Sequence, residues 1–476
     1  MKTVNVDVAV IGAGSAGLSA FRAAKARGAS ALLIEGGAYG TTCARVGCMP
    51  SKLLISAADV AHAAATADAF GVQAEVRIDG RAVMRRVKSE RDRFVGFVVD
   101  SIDGIAADER LRGRARFLAA DTLQVGEDVQ VKAARVVIAT GSAPAVPDML
   151  HGLGNRALVS DDVFDWDDLP ESVAVVGAGV IGLELGQALH RLGVRVAVFG
   201  RSDRLASIAD DELNQAAISC IGNELDLRLG ATIVSAQPEN DQVTLHSRDA
   251  DGRERTEHYR YVLAATGRKP NLAGLGLENT GLQLDDRGIP RFDPLTMQCS
   301  DSTIFIAGDV DGDRPLLHEA ADEGRIAGSN AARYPHVAAG LRRIPMAIAF
   351  TDPQVMAIGQ IARTLKPKQY QTGHVSFANQ GRSRVMLQNR GMLKVYGERG
   401  THRFLGAEMV GPRAEHIAHL LAWACQAQMT VDDMLAMPFY HPVVEEGVRT
   451  ALRDLKENLV KQVYEIEHCS DCTPGI

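Results

Sequence analysis

The sequence predicts an α/β protein: two doubly wound, Rossmann-like domains followed by an α+β C-terminal domain. Three observations carry this reading. An apolar strand runs into a glycine turn and a helix start at Val8-Ala9-Val10-Ile11-Gly12-Ala13-Gly14-Ser15-Ala16-Gly17. The same order returns at Val173-Ala174-Val175-Val176-Gly177-Ala178-Gly179-Val180-Ile181-Gly182. After each comes a second buried strand ending in a small, tight turn, Val136-Val137-Ile138-Ala139-Thr140-Gly141-Ser142 and Val262-Leu263-Ala264-Ala265-Thr266-Gly267-Arg268. One glycine pattern is weak evidence; two, each between an apolar strand and a helix, mark two domains that each bind a dinucleotide.

In the first domain, Gly12, Gly14 and Gly17 permit the tight turn and let the backbone approach a pyrophosphate resting on the helix N-terminus. Glu35 closes the strand Ala31-Leu32-Leu33-Ile34 about 20 residues on, where an acid holds a ribose hydroxyl. Directly afterwards stands Thr42-Cys43-Ala44-Arg45-Val46-Gly47-Cys48-Met49-Pro50-Ser51-Lys52. Two cysteines in a chain of this size can be unrelated core thiols. Here Gly47 and Pro50 let the chain bend into a helix start beside Cys48, and a helix N-terminus stabilises a thiolate. If the dinucleotide of this domain is a flavin, the pair can be a redox-active disulfide.

In the second domain, Gly177, Gly179 and Gly182 repeat the nucleotide turn. An NAD-specific site ends its second strand with an acid for the adenosine ribose. The strand Val194–Phe199 ends instead at Gly200-Arg201, with Arg204 nearby, and two guanidiniums suit a 2′-phosphate. NADPH is therefore expected to serve at least as well as NADH. The counter-reading makes Arg201 and Arg204 surface charges and gives the ribose to Asp203. Beyond, Thr303-Ile304-Phe305-Ile306-Ala307-Gly308-Asp309 reads as a strand ending in Gly-Asp, and a helix containing His318, Glu319 and Gly324 begins near Pro315. A final mixed α/β segment starts at Ile344-Pro345, with a strand at Met392–Tyr396 and an amphipathic run from His416 to Gln428.

Composition fits this architecture. The 476 residues hold several domains, and 46% hydrophobic with 23% charged residues is ordinary for a globular protein. A net charge of −7 without a basic cluster argues against nucleic acid or an anionic membrane as partner. No run of about 18 apolar residues occurs, so no membrane span is expected. The first strand begins close to Met1, so no signal peptide is expected. Seven cysteines, an odd count, suit a catalytic disulfide in a reducing cytoplasm better than a secreted framework.

The cysteine segment resembles that of the pyridine nucleotide-disulfide oxidoreductases, which reads roughly Gly-Gly-Thr-Cys-x-Asn-Val-Gly-Cys-x-Pro-Ser/Lys-Lys. The resemblance spans nearly the whole chain, with the motifs in the family's order, and is strongest to dihydrolipoamide dehydrogenase. It implies FAD in the first site, a nicotinamide in the second and a C-terminal dimerisation domain. The expected divisions are 1–150 for the FAD-binding domain with its redox disulfide and 151–275 for the NAD(P)-binding domain. Residues 276–344 return to the FAD domain, and 345–476 form the dimerisation domain. Cys48 is implied as the thiol that lies against the flavin, Cys43 as the thiol that exchanges with substrate, and Asp309 as a ligand of the ribityl chain. Thr42, Thr140, Gly141 and Gly267 join the expected nucleotide contacts.

Lys52, one turn after Cys48, is placed to stabilise charge on the flavin, and Glu184 is placed to reach the same spot; the resemblance pairs them. Thiol exchange needs a proton carrier. His441 and Glu446 match the family's His-Pro-x-x-x-Glu, and the carboxylate would hold the imidazole in one tautomer. In the family this histidine comes from the partner subunit, which implies a homodimer. No metal site is assigned.

Two departures stand out: Thr41 replaces the second glycine of the segment, and Arg45 replaces its asparagine. Arg45 is either a cation beside the dithiol or a solvated charge. Arg22 resembles an arginine that glutathione reductases use for a substrate carboxylate. The tail pair Cys469 and Cys472 is a mobile relay, an exposed thiol pair or a weak metal site with His468. The leading expectation is an FAD-dependent dithiol/disulfide oxidoreductase most like dihydrolipoamide dehydrogenase, with lipoyl groups on a carrier protein among its substrates. The alternatives are an NADPH-driven reductase of another small disulfide or of Hg(II), and a non-catalytic flavoprotein acting as a redox sensor or complex subunit.

Overall fold

The computed structural model describes residues 2–206 and 208–460, so the tail pair Cys469 and Cys472 lies outside the described residues. The chain forms two compact units, one of residues 1–207 and 224–343, the other of 208–223 and 344–476.

The larger unit holds both nucleotide folds. The first begins with β1 (Lys2–Ile11), α1 (Ser15–Ala26) and β2 (Ala31–Glu35). Then come α2 (Thr42–Val46), α3 (Cys48–Ala65) and α4 (Gly80–Asp103), followed by β3 (Arg110–Arg112), β4 (Ala115–Ala119), β5 (Thr122–Val125) and β6 (Val129–Ile138). The strands lie in the order β3-β2-β1-β6-β5-β4. β1 pairs in parallel with β2 and β6, with Val8 opposite Ala31 and Arg135. Val8, Ala9 and Val10 are fully buried, which is why this strand reads as an unbroken apolar run rather than an alternating one.

The second fold comprises β7 (Ala157–Val159), β8 (Ser172–Val176), α5 (Val180–Arg191), β9 (Arg195–Gly200), β10 (Asp226–Leu229) and β11 (Tyr261–Ala264). Its parallel sheet has the order β10-β9-β8-β11-β7. A separate antiparallel sheet of Thr232–Glu239, Gln242–Arg248 and Glu254–Tyr259 is inserted before β11. The chain then returns to the first sheet: β12 (Ile304–Ile306) pairs in parallel with β6. It continues into α6 (Leu317–Arg333), which packs along α1. The helices meet backbone to backbone, since a Cβ at Gly324 would overlap Ala16 and one at Gly328 would overlap Ala20.

The smaller unit is a five-stranded antiparallel sheet of β13 (Met346–Ala349), β14 (Gln354–Gly359), β15 (Tyr370–Ser376), β16 (Met392–Glu398) and β17 (Phe404–Gly411). The strand order is β13-β14-β17-β16-β15. Helices α7 (Ala414–Gln426) and α8 (Glu446–Val460) bury Ile417, Leu421, Leu452 and Leu455 in its core. The helix Asp211–Gly222 belongs to this unit and packs on β16 and β17. Asp210 caps that helix through the Leu213 N–H and pairs with Lys394 of β16 at 2.8 Å.

Because Gly324 leaves no room for a methyl group, Gly324→Ala is expected to prise α6 from α1. The expected loss is about 1–3 kcal/mol, read as a lowered midpoint in thermal unfolding.

Candidate active site

The two glycine turns are built alike. A Cβ at Gly12 would overlap the Ala139 carbonyl, and one at Gly17 the carbonyl of Gly12; Gly177 and Gly182 stand in the same relation to Ala265 and Gly177. These glycines press strand, turn and helix together. The middle ones differ: a Cβ at Gly14 or Gly179 would meet nothing within 4 Å. Those two positions face outward at the helix N-termini, and neither helix carries a side-chain cap. Uncapped N–H groups beside a bare backbone form a cradle for a diphosphate. Glu35 braces the first turn, accepting from the Ala13 N–H at 2.8 Å and the Gly37 N–H at 2.6 Å.

Elsewhere in the first fold, Thr140 and Asn271 exchange side-chain and backbone hydrogen bonds of 2.8 and 3.0 Å, which ties Gly141 to the second connection. Gly141 and Gly267 both adopt positive φ, 67° and 107°. Asp309 accepts from the Ser142 hydroxyl at 2.7 Å, and Arg268 donates to that same hydroxyl at 2.8 Å. The buried Nε2 of His318 on α6 makes no hydrogen bond among the described residues. The cradle, the acid and this orphaned nitrogen fit a dinucleotide with a polar ring system.

In the second fold, β9 ends at Gly200, where even a Cβ would crowd Leu229 and Ala178. The position carries no acid, and a side chain placed there would have to displace Leu229. The following loop is closed over the glycine turn by the Ala206 N–H, which donates to the Ala178 carbonyl at 2.9 Å. Arg201 is exposed and Arg204 half-buried on this loop.

The cysteine segment folds as two helices meeting at Gly47. Thr41 takes φ +58° where the resembling sequences carry glycine, and its hydroxyl caps α2 from the Ala44 N–H at 3.3 Å. Thr42 opens α2 and is exposed. Cys43 is half-buried on α2, and Cys48 is the first residue of α3. The two thiols stand within hydrogen-bonding reach of one another. Their hydrogen bond, aided by the Lys52 charge and opposed by burial, draws Cys48 down to about 6. The same bond, with burial, pushes Cys43 up. The pair is thus polarised, with its thiolate on Cys48.

Lys52 donates to Glu184 of α5 at 2.7 Å. Glu184 is 5% exposed and Lys52 33%, so the carboxylate is buried and the ammonium faces outward. Arg45 turns elsewhere: its stem lies against Gly40, and the cation acting on the cysteines is Lys52. Arg22 donates to Ser101 at 2.7 Å.

His441 and Glu446 lie in the smaller unit. His441 Nδ1 is 3.0 Å from Glu446 Oε2, the His441 side chain is 80% exposed, and the His441–Pro442 bond is cis. Glu446 is held in turn by the Val443 N–H at 3.4 Å and Arg449 at 3.4 Å. One ring nitrogen is anchored and the imidazole is presented outward. Among the described residues no group of three or more His, Cys, Asp or Glu is arranged to hold a metal, and no helix is long and apolar enough to cross a membrane.

Two uncapped nucleotide turns with a polarised dithiol beside the first define a flavin-linked disulfide oxidoreductase. The chain belongs to the pyridine nucleotide-disulphide oxidoreductases, a family that uses FAD and NAD(P)H: residues 6–324 match its principal domain and residues 345–452 its dimerisation domain. It is 31% identical to dihydrolipoyl dehydrogenase of Geobacillus stearothermophilus, over 93% of this chain and 94% of that one. It is 29% identical to mercuric reductase of Staphylococcus aureus, over 96% and 83%. Among solved structures, LpdA of Mycobacterium tuberculosis superposes with a TM-score of 0.80 at 24% identity, over 95% and 99% of the two chains.

Sequence reasoning missed what Ser142 does. It ends the strand-and-turn motif, a signal that marks the turn but not the partners of its hydroxyl.

Since Lys52 lowers and Glu184 raises the Cys48 thiol, alkylation of Cys48 by iodoacetamide in the reduced protein is expected to be half-maximal near pH 6. In Lys52→Met the midpoint is expected to move upward. Peptide mass spectrometry at graded pH checks both.

Proposed function

We propose that this protein passes two electrons between a small dithiol or disulfide, bound FAD and NAD(P)H through Cys43 and Cys48, with a lipoyl group as the substrate class. The single observation that carries the reading is the setting of the dithiol: Cys43 and Cys48 lie on adjoining helices, and Lys52, one turn past Cys48, donates to the buried Glu184 at 2.7 Å, with Cys48 held below the usual thiol range. A sulfur with a low pKa is the better leaving group, so an attacking thiolate is directed to Cys43 and expels Cys48.

The exchange balances as follows. One substrate thiol loses its proton to His441, and the resulting thiolate attacks Cys43 of the oxidised pair. A substrate–Cys43 bond forms and the Cys43–Cys48 bond breaks, leaving Cys48 as thiolate. His441 passes that proton to solvent and takes the proton of the second substrate thiol, whose thiolate attacks the substrate sulfur bound to Cys43. This closes the substrate disulfide and returns the electron pair to Cys43, which takes up a proton. Glu446 keeps His441 oriented and supports the charge it gains. FAD bound in the first fold would supply the two-electron carrier between the dithiol and the nicotinamide. Lys52 would balance the charge developing there, Gly12, Gly14, Gly17, Glu35 and Asp309 would hold FAD, and Gly177, Gly179 and Gly182 the nicotinamide dinucleotide. We assign the active form as a homodimer in which His441 serves the partner's dithiol, and its place as the cytoplasm, where an exchanging dithiol can be kept reduced.

A second reading, an NADPH-driven reductase of another disulfide or of Hg(II), draws on one observation: Gly200 stands where a ribose-binding acid is expected, and Arg201 and Arg204 follow it. The division of relatives between dihydrolipoyl dehydrogenase and mercuric reductase keeps the substrate open to that test.

Steady-state assays with lipoamide, glutathione disulfide and Hg(II), each against NADH and NADPH, separate the two readings. Fast lipoamide turnover is expected, with kcat/KM for NADPH at least equal to that for NADH; a preference for NADH of about tenfold, some 1.4 kcal/mol, overturns the assignment of Arg201 and Arg204. His441→Gln is expected to lower disulfide turnover by about 100-fold while leaving flavin reduction by the nicotinamide intact, as stopped-flow absorbance would show.

A further inference from the structure

The Lys52–Glu184 pair has a counterpart further along the same two helices. Seven residues on from Lys52, Asp59 of α3 accepts from Arg191 of α5 at 3.1 Å, and Arg191 is itself seven residues on from Glu184. Residues seven apart lie on the same face of a helix, about 10 Å apart along its axis. Equal steps on both helices mean that α3 and α5 run in the same sense and in a fixed register. The charges are reversed between the two pairs, cation on α3 in the first and on α5 in the second. Sliding one helix by seven residues would set Lys52 against Arg191 or Asp59 against Glu184, and like charges repel.

Arg191 is also the better anchored of the two cations. Its side chain is 3% exposed, and its fork grips Glu224 through Nε at 2.5 Å and Nη2 at 3.0 Å. Gln187, one turn earlier on the same face of α5, donates to Glu224 at 2.8 Å, and His62, one turn beyond Asp59, stands 3.8 Å from that carboxylate. Burial opposes the charge on Glu224, but Arg191 and Gln187 outweigh it and hold the carboxyl below its usual range. A buried guanidinium bound to two acids at fixed angles is a rigid pin.

One pin fixes a point; two fix both sliding and rotation. The second matters because of what the helices begin with. α3 starts at Cys48, and α5 starts at the second nucleotide turn. Along α3 a slip of one residue is about 1.5 Å of travel and about 100° of rotation, enough to take Lys52 away from Glu184.

We propose that Arg191, through Asp59 and Glu224, is a positioning residue for the redox centre: it sets the register of α3 on α5 that holds Lys52 on Glu184 and Lys52 beside Cys48. The inference rests on the proposed redox role of Cys48. Arg191 touches no reacting atom, and its effect is transmitted along two helices.

The test uses the full-length holoenzyme and three variants. Asp59→Asn weakens the link to α3 while leaving the Arg191–Glu224 grip in place; Arg191→Met removes both, and Arg191→Lys keeps the charge without the fork. The readouts are the pH midpoint of Cys48 alkylation in the reduced protein and the stopped-flow rate of flavin reduction by NADPH, beside FAD content and thermal midpoint. In Asp59→Asn the alkylation midpoint is expected to rise by about half a pH unit, with FAD content unchanged. Flavin reduction is expected to slow by about tenfold in Arg191→Met, with Arg191→Lys between it and the wild type. Should Arg191→Met fail to fold, Asp59→Asn carries the test alone. Wild-type midpoints and rates in the folded variants, whatever their thermal midpoints, would overturn the proposal and leave Arg191 a structural residue. A wild-type protein without the low Cys48 midpoint would instead remove the redox reading itself, and this inference with it.

Discussion

The active centre depends on a buried carboxylate that has to be neutralised. Glu184 sits at the start of α5 with almost no exposure, and the group that balances it, Lys52, sits one turn past Cys48 on α3. Removing the ammonium would take away a cation 2.7 Å from a nearly buried carboxylate, at a cost on the order of 3 kcal/mol lessened by the water that reaches Lys52. The pairing therefore couples two folds that have separate sheets and separate nucleotide turns. It also places a cation where it pulls Cys48 toward thiolate, so one interaction serves both the register of the helices and the chemistry of the sulfur.

Around this bridge the larger unit is duplicated in its essentials. Each sheet ends in a turn whose outer glycines are packed against backbone and whose middle glycine is bare. The duplication stops where the two dinucleotides differ. β2 ends in Glu35, which binds the backbone of its own turn, whereas β9 ends in Gly200, walled in by Leu229 and Ala178. The smaller unit adds an exposed imidazole held at one nitrogen by a carboxylate. The division suits an enzyme that moves electrons through one set of elements and protons through another.

Much of this was legible in the sequence because the patterns are local. The glycine turns show as runs of ten residues although Gly12 and Gly177 pack on the distant Ala139 and Ala265, the cysteine helix shows in Gly47 and Pro50, and the His441–Glu446 pair in a spacing of five. What escaped is long-ranged. Arg191, Asp59 and Glu224 come from three separate elements, and no local pattern brings them together. The helix Asp211–Gly222 reads as amphipathic, but nothing in its own residues says that Leu213 and Ala217 are buried in the smaller unit. Arg45 was legible as a cation near the cysteines, yet its direction is decided by the bare backbone of Gly40 and by α4. Thr41 keeps a positive φ that its glycine counterparts adopt without strain, and its hydroxyl gains a cap in return.

The central claim is that Cys43 and Cys48 store an electron pair in series with the flavin. An anaerobic reductive titration of the purified flavoprotein tests it most directly. Uptake of roughly four electrons per chain, two by the disulfide and two by the flavin, is expected. The first two should bring up a long-wavelength absorbance that Cys48→Ser abolishes. Uptake of roughly two electrons with no such band would contradict the account, because the dithiol would then stand outside the electron path.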